Sequence, residues 1–241
     1  MDVVYLFKES TENDSAELRY SLRSLRNLAF EKVVIVGEKP AWIKNVHHIS
    51  VEQSGLKSAN VRKSMTAALI DDGISDDFIM MNDDFFIMKY YQEIPTLHWG
   101  DMKSLIERYD ARYPAGSEYI RRMKTLYHIL VENHLQTLSY ELHTPMVINR
   151  YKARQLYERA GKNSLYQFRT YYGNYHGVGG SKTEDVKVFL DSRHNNSLYN
   201  DRPMAYLQEQ HFLSTTGGAF ARGVAGEYVR SSFPDKSIYE I

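Results

Sequence analysis

Two adjacent carboxylates, Asp83 and Asp84, follow the apolar run Phe78-Ile79-Met80-Met81 and precede Phe85-Phe86. Side-by-side carboxylates among apolar neighbours are costly unless a cation or hydrogen-bond donors compensate. At the C-terminal end of a strand in an open α/β sheet, where ligands bind, such a pair suits a Mg²⁺ or Mn²⁺ ion bridging to a diphosphate. The simpler alternative is a pair that caps a turn. Asp76 and Asp77, ahead of the run, fit turn and cap positions.

Other residue types extend this chemistry. Arg19 and Arg23 are candidate donor contacts, because a guanidinium grips phosphate through two parallel hydrogen bonds; Asn82, next to the Asp pair, joins them. His143 stands before Thr144-Pro145, a context that keeps it out of a helix interior. It is the candidate general base, imidazole being the side chain suited to proton transfer near neutral pH. Arg169 is a candidate for the transferred phosphate or the donor, and Asn200 and Asp201 for completing the metal site with Asp83 and Asp84 or the acceptor site. Tyr171, Tyr172 and His176 cluster near Arg169 as candidate acceptor contacts, with His176 a second candidate base. Aromatic rings stack on sugar faces or on bases; core packing is the plainer role for the same rings.

These residues need a frame. Val3–Phe7, Val33–Val36, Val46–Val51 and Asp77–Met81 read as short buried strands, and Lys57–Ile70 as a helix between the last two. A further helix is expected over Ser15–Ala29, with Leu18, Leu22, Leu25 and Ala29 as its apolar stripe and Asp14 with Glu17 as a capping-box-like start. Strand and helix in this rhythm predict an α/β fold with a mostly parallel sheet. Beyond Pro95 the pattern turns helical, with helices expected over Tyr119–Leu138 and Arg150–Ala160, a glycine-rich loop over Gly173–Gly180 and a polar loop over Arg193–Pro203. One catalytic domain is expected, residues 1–95 forming the donor and metal half and 96–241 a helical acceptor half.

Composition narrows the classes. The 241 residues carry 30 Lys+Arg against 30 Asp+Glu and no Cys, which argues against a general nucleic-acid binder and leaves no disulfide or thiolate metal site. At 43% hydrophobic the chain is too apolar for disorder. No apolar run is long enough to span a membrane and the N-terminus lacks a signal-peptide pattern, so a cytoplasmic protein is expected. Neutrality is local cancellation: residues 71–84 hold six aspartates and no base, whereas 150–170 hold six basic residues against Glu158. These are either two solvated faces or a metal end and a phosphate end.

Several blocks in order resemble the Stealth family of sugar phosphotransferases. They are Asp2-Val3-Val4-Tyr5, Glu17-Leu18-Arg19-Tyr20-Ser21-Leu22-Arg23-Ser24, Val33–Val36, Pro40-Ala41-Trp42-Ile43 and Asn82-Asp83-Asp84-Phe85-Phe86. His143-Thr144-Pro145 with Phe168-Arg169 is similar to the family's third region, and Asn200-Asp201 with Phe233–Glu240 more loosely to its fourth. The resemblance implies a fold like the GT-A nucleotide-sugar transferases, a divalent cation, a UDP-sugar donor and transfer of hexose-1-phosphate to a saccharide hydroxyl. After Tyr5 the chain continues Leu6-Phe7-Lys8-Glu9-Ser10-Thr11-Glu12, where the family has Thr-Trp-Val-Asp-Gly-Ser-Asp. Two alternatives therefore stand beside phosphosugar transfer. One is transfer of the sugar alone, to a glycan, a protein or a hydroxymethylated DNA base; the other is a non-catalytic sugar-nucleotide-binding protein.

Overall fold

A computed structural model describes residues 1–9, 14–54, 57–113, 116–159, 167–190 and 202–241. Along the chain come β1 (Asp2–Phe7), α1 (Ala16–Ser24, continued by a 3₁₀ turn at Leu25–Asn27), β2 (Val33–Gly37), β3 (His47–Ser50), α2 (Lys57–Ile70), β4 (Asp77–Met81) and β5 (Phe85–Ile87). Then follow β6 (Leu97–His98), β7 (Gly100–Asp101), α3 (Met102–Arg112), α4 (Glu118–Glu132), β8 (Leu138–Ser139), β9 (Met146–Asn149), α5 (Arg150–Arg159), α6 (Phe168–Tyr175) and β10 (Ser181–Lys182). The last elements are β11 (Lys187–Val188), α7 (Met204–Glu209), β12 (Phe212–Thr215), α8 (Gly217–Arg222) and α9 (Val224–Ser232). No helix among the described residues is long and apolar enough to cross a membrane.

The chain forms two compact units. The first comprises Met1–Ile94, His143–Val147 and Val186–Ile241; the second comprises Pro95–Leu142 and Ile148–Asp185. Residues 186–241 belong to the first unit.

The first unit is built on a five-stranded sheet in the order β3-β2-β1-β4-β9. The pairings β1–β2, β1–β4 and β2–β3 are all parallel. The fold is therefore α/β with a mainly parallel central sheet, as its strand pattern predicts. The runs Val3-Val4 and Val33-Val34-Ile35-Val36 are fully buried. Stiff branched side chains suit a strand covered on both faces, and each contributes about 1.5–3 kcal/mol on burial. Register is tied at the strand entrances: the buried Asp2 carboxylate accepts from the Ser75 N–H at 2.8 Å, and the Asp2 N–H donates to Ser75 Oγ at 2.8 Å. Gly37 ends β2 with φ of 121°, where a Cβ would lie 2.2 Å from the Phe7 carbonyl oxygen, so the close approach of β1 and β2 requires glycine there. A three-stranded sheet in the order β11-β12-β5 completes this unit, with β11–β12 parallel and β12–β5 antiparallel. Phe86, Leu213, Phe220 and Val229 share a core that packs α8 and α9 against it.

The second unit is helical, with two short strand pairs, β6–β10 and β7–β8. Helix α4 stops at Glu132, six residues before the end expected from periodicity. Asn133 donates to the Ile129 carbonyl and His134 adopts a left-handed φ of 54°, which breaks the helical register and frees Leu138 to enter β8. The glycine-rich segment is not all loop: Gly173 lies inside α6, where a Cβ would sit 2.5 Å from the Tyr140 ring. Here glycine allows a helix to meet an aromatic face. The polar stretch 193–203 lies largely outside the described residues.

Helix α1 also departs from expectation. The residue before it, Ser15, is left-handed (φ 52°) and caps nothing. Asp14 is left-handed too and pairs with Arg19 at 2.6 Å. Glu17 therefore does not close a capping box, and its carboxylate points elsewhere.

Candidate functional site

Asp83 and Asp84 occupy a tight turn between β4 and β5, closed by the Phe85 N–H donating to the Asn82 carbonyl at 3.2 Å. Asp84 Oδ2 accepts from the Lys187 ammonium and, at 3.2 Å, from the Ser214 hydroxyl. Its other oxygen, Oδ1, is buried with no hydrogen-bond partner. Strand register explains the meeting. Ser214 on β12 lies opposite Phe85 on β5, and Lys187 on β11 lies opposite Ser214. The apolar residues that pair these strands, Phe85, Phe86, Phe212 and Leu213, are all buried, so the sheet carries the three polar groups with it.

Glu17, in the first turn of α1, reaches the next residue on β12. Its carboxyl accepts from Thr215 Oγ1 at 2.8 Å. Burial pushes the Glu17 carboxyl up to about 7; the Thr215 hydrogen bond pulls down, repulsion from Asp84 and Asp83 adds to the rise, and Lys187 offsets part of it. A carboxyl poised near neutrality can both take and give a proton. Deeper in, the Ser21 hydroxyl donates to the Phe85 carbonyl at 2.6 Å, so the Tyr5 hydroxyl, 2.9 Å away, is the donor to Ser21. Burial drives the Tyr5 phenol well above its usual range; it is a fixed donor. This chain ties β1, α1 and the start of β5 together beneath the carboxylates.

The place of the cluster in the fold is the chemically telling feature. From β1 the chain moves to β2 and β3 on one side, then β4 returns to the other side of β1. The C-terminal ends of β1 and β4 open where strand order reverses, the point at which open α/β sheets bind ligands. The Asp83-Asp84 turn follows β4, and the segment leading to Glu17 follows β1.

The remaining candidates divide between the units. In the first, Asn82 takes part through its backbone. His143 packs edge-on against Phe85, the residue after Asp84, with ring centroids 6.1 Å apart. Arg19 lies 3.9 Å over the Trp42 ring, besides its pair with Asp14. Arg23 is committed to structure: it forks onto Glu240 at 2.8 and 2.7 Å and donates to the carbonyls of Phe233 and Pro234. Burial pushes the Glu240 carboxyl up, but Arg23 and the Ser237 donors outweigh it and hold it below the usual range. With its planar fork filled, Arg23 has no geometry left for a phosphate, and its expected donor role gives way to anchoring the C-terminal segment.

In the second unit, buried Arg169 donates to the Leu142 carbonyl at 2.9 Å. Tyr172 is buried and its hydroxyl accepts from the Asn149 N–H at 2.9 Å, so its ring belongs to the core and not to an acceptor platform. Tyr171 stands T-shaped to Tyr175, whose hydroxyl accepts from Arg159. His176 donates from Nε2 to the Lys152 carbonyl at 3.1 Å, and burial lowers its pKa. That bond leaves Nδ1 as the acceptor nitrogen. Asn200 and Asp201 lie outside the described residues.

Among the described residues, no three carboxylate or imidazole groups gather as metal ligands. The carboxylate best placed for a cation, Asp84, already holds an ammonium and a hydroxyl on one oxygen.

Glu17, Lys187, Ser214 and Thr215 were not singled out as site residues from sequence. One signal for Lys187 was available: it sits between Val186 and Val188, and a lysine in a buried apolar strand needs a partner. Ser214 and Thr215 continue Phe212-Leu213 into a hydroxyl run, but nothing local says what the hydroxyls meet.

No protein-family model and no curated protein matches the chain. Among solved structures, the crystal structure of mouse xyloside xylosyltransferase 1, apo form, matches at 12% identity and a TM-score of 0.43, over 90% of this chain and 99% of that one.

Proposed function

We propose that the chain is a nucleotide-sugar transferase of GT-A-like architecture, whose donor diphosphate lies at the C-terminal ends of β1 and β4. One observation carries this. Within the first unit, several blocks far apart in sequence, among those whose order resembles the Stealth phosphotransferases, contact one another. Ser21 of the Glu17–Ser24 block bonds to Phe85 of the Asn82–Phe86 block. Tyr5 of the first block bonds to Ser21. His143 packs on Phe85, and Arg23 fixes the closing Phe233–Glu240 block from 217 positions away.

The chemistry proposed is transfer of hexose-1-phosphate from a UDP-sugar. The acceptor hydroxyl oxygen forms a bond to the sugar-bearing phosphorus, the bond from that phosphorus to the bridging oxygen breaks, and UMP leaves. Glu17 or His143 takes the hydroxyl proton, and Lys187 supplies positive charge beside the diphosphate. Arg19 remains a candidate phosphate contact, and a saccharide the favoured acceptor.

Incubation with a panel of UDP-sugars and saccharide acceptors tests this, with nucleotides resolved by ion-exchange chromatography. UMP release is expected. UDP release instead would assign the chain to transfer of the sugar alone. Nucleotide-sugar binding with no cleavage against any acceptor would assign it to a binding protein.

A further inference from the structure

We propose that Lys187 occupies the place a divalent cation takes at a carboxylate-bearing diphosphate site, so that this site carries its positive charge covalently. The proposal rests on reading the Asp84 turn as the donor site. A cation that binds a diphosphate against two carboxylates must reach their oxygens. At Asp84 one oxygen accepts from the Lys187 ammonium and from Ser214. The pair is well enclosed, its side chains 10% and 16% exposed for Lys187 and Asp84. Removing one partner from such a pair leaves a buried, uncompensated charge, so the ammonium is not readily displaced.

The position of Lys187 is not an accident of a long side chain. It is fixed by the ladder: β11 pairs with β12 so that Lys187 stands opposite Ser214, and Ser214 in turn stands opposite Phe85 beside Asp84. Both flanking residues, Val186 and Val188, are buried, which holds the lysine's backbone in the sheet. Asp84 thereby acts as a positioning residue for the ammonium. Its second oxygen, buried and without a partner, remains to accept from a hydroxyl or N–H of the bound donor. Among the described residues, too few further ligands gather to build a cation site on that oxygen alone.

Mn²⁺ titration of the full chain, followed by electron paramagnetic resonance, tests the proposal without any nucleotide sugar, so a failure of the donor reading leaves its result intact. Wild type is expected to bind Mn²⁺ no better than Asp84→Ala does. Lys187→Ala, which frees the Asp84 carboxylate, is expected to bind on the order of a hundredfold more tightly than wild type, since the ion now relieves an unpaired buried charge. The double variant should lose that gain. Lys187→Met keeps the aliphatic stem and serves if Lys187→Ala does not fold. A wild-type Mn²⁺ site that disappears in Asp84→Ala overturns the proposal whatever the Lys187 variants do. So does a folded Lys187 variant that gains no Mn²⁺ affinity.

Discussion

Replacing Glu17 by Gln isolates a strongly perturbed carboxyl of the site. Burial holds the Glu17 carboxyl at about 7 against an ordinary 4.5. Between those values the folded chain keeps a proton that the unfolded chain has released. Stability therefore falls as pH rises through this window: the contribution is fully present below about 4.5 and lost above about 7. At about 1.4 kcal/mol per pH unit, the difference amounts to ~3 kcal/mol. Glutamine mimics the protonated form at every pH, and its carbonyl oxygen still accepts from Thr215. The assay is urea denaturation of both proteins at pH values from 4.5 to 8. Other titrating groups are common to both, so the wild-type value minus the variant value reports Glu17. That difference should drop by ~3 kcal/mol across the window and level off above it. A difference flat to within about 0.5 kcal/mol would show that the carboxyl is well solvated, and its role as a neutral-pH base would fall with it.

Two further substitutions test the frame. Arg23→Ala breaks a fork onto a Glu240 side chain that is 0% exposed, and should cost ~3–5 kcal/mol in denaturant unfolding; lost nucleotide affinity with unchanged stability would restore Arg23 as a donor contact. Gly173→Ala should destabilise by about 1–3 kcal/mol because its Cβ meets the Tyr140 ring. An exposed helical site would instead gain up to about 1 kcal/mol from the same change, so a rise in melting temperature would place Tyr140 elsewhere.

The parallel sheet was legible because its strands are short runs of branched apolar residues, and Val33–Val36 has no other way to hide four such side chains. Helix α2 was legible end to end. The end of α4 was not, because apolar spacing continues past His134 although the backbone there turns left-handed. At the site, Asp83-Asp84 stood out because charge interrupts an apolar run. Glu17 did not: beside Asp14 it has the spacing of a cap, and the hydroxyl that claims it lies 198 positions away. Arg23 misled for the same reason. A guanidinium near a donor block and one that anchors a distant C-terminal carboxylate read alike until the partner is in view. Tyr172 shows the limit for aromatics, since clustered tyrosines do not reveal which rings face inward.

The most direct measurement is a crystal structure of the full chain with a UDP-sugar. The diphosphate should lie at the C-terminal ends of β1 and β4, within hydrogen-bond reach of Lys187, with a ligand hydroxyl or N–H on Asp84 Oδ1. A nucleotide bound away from the Asp83-Asp84 turn, with Lys187 and Asp84 untouched, would contradict the assignment of this site.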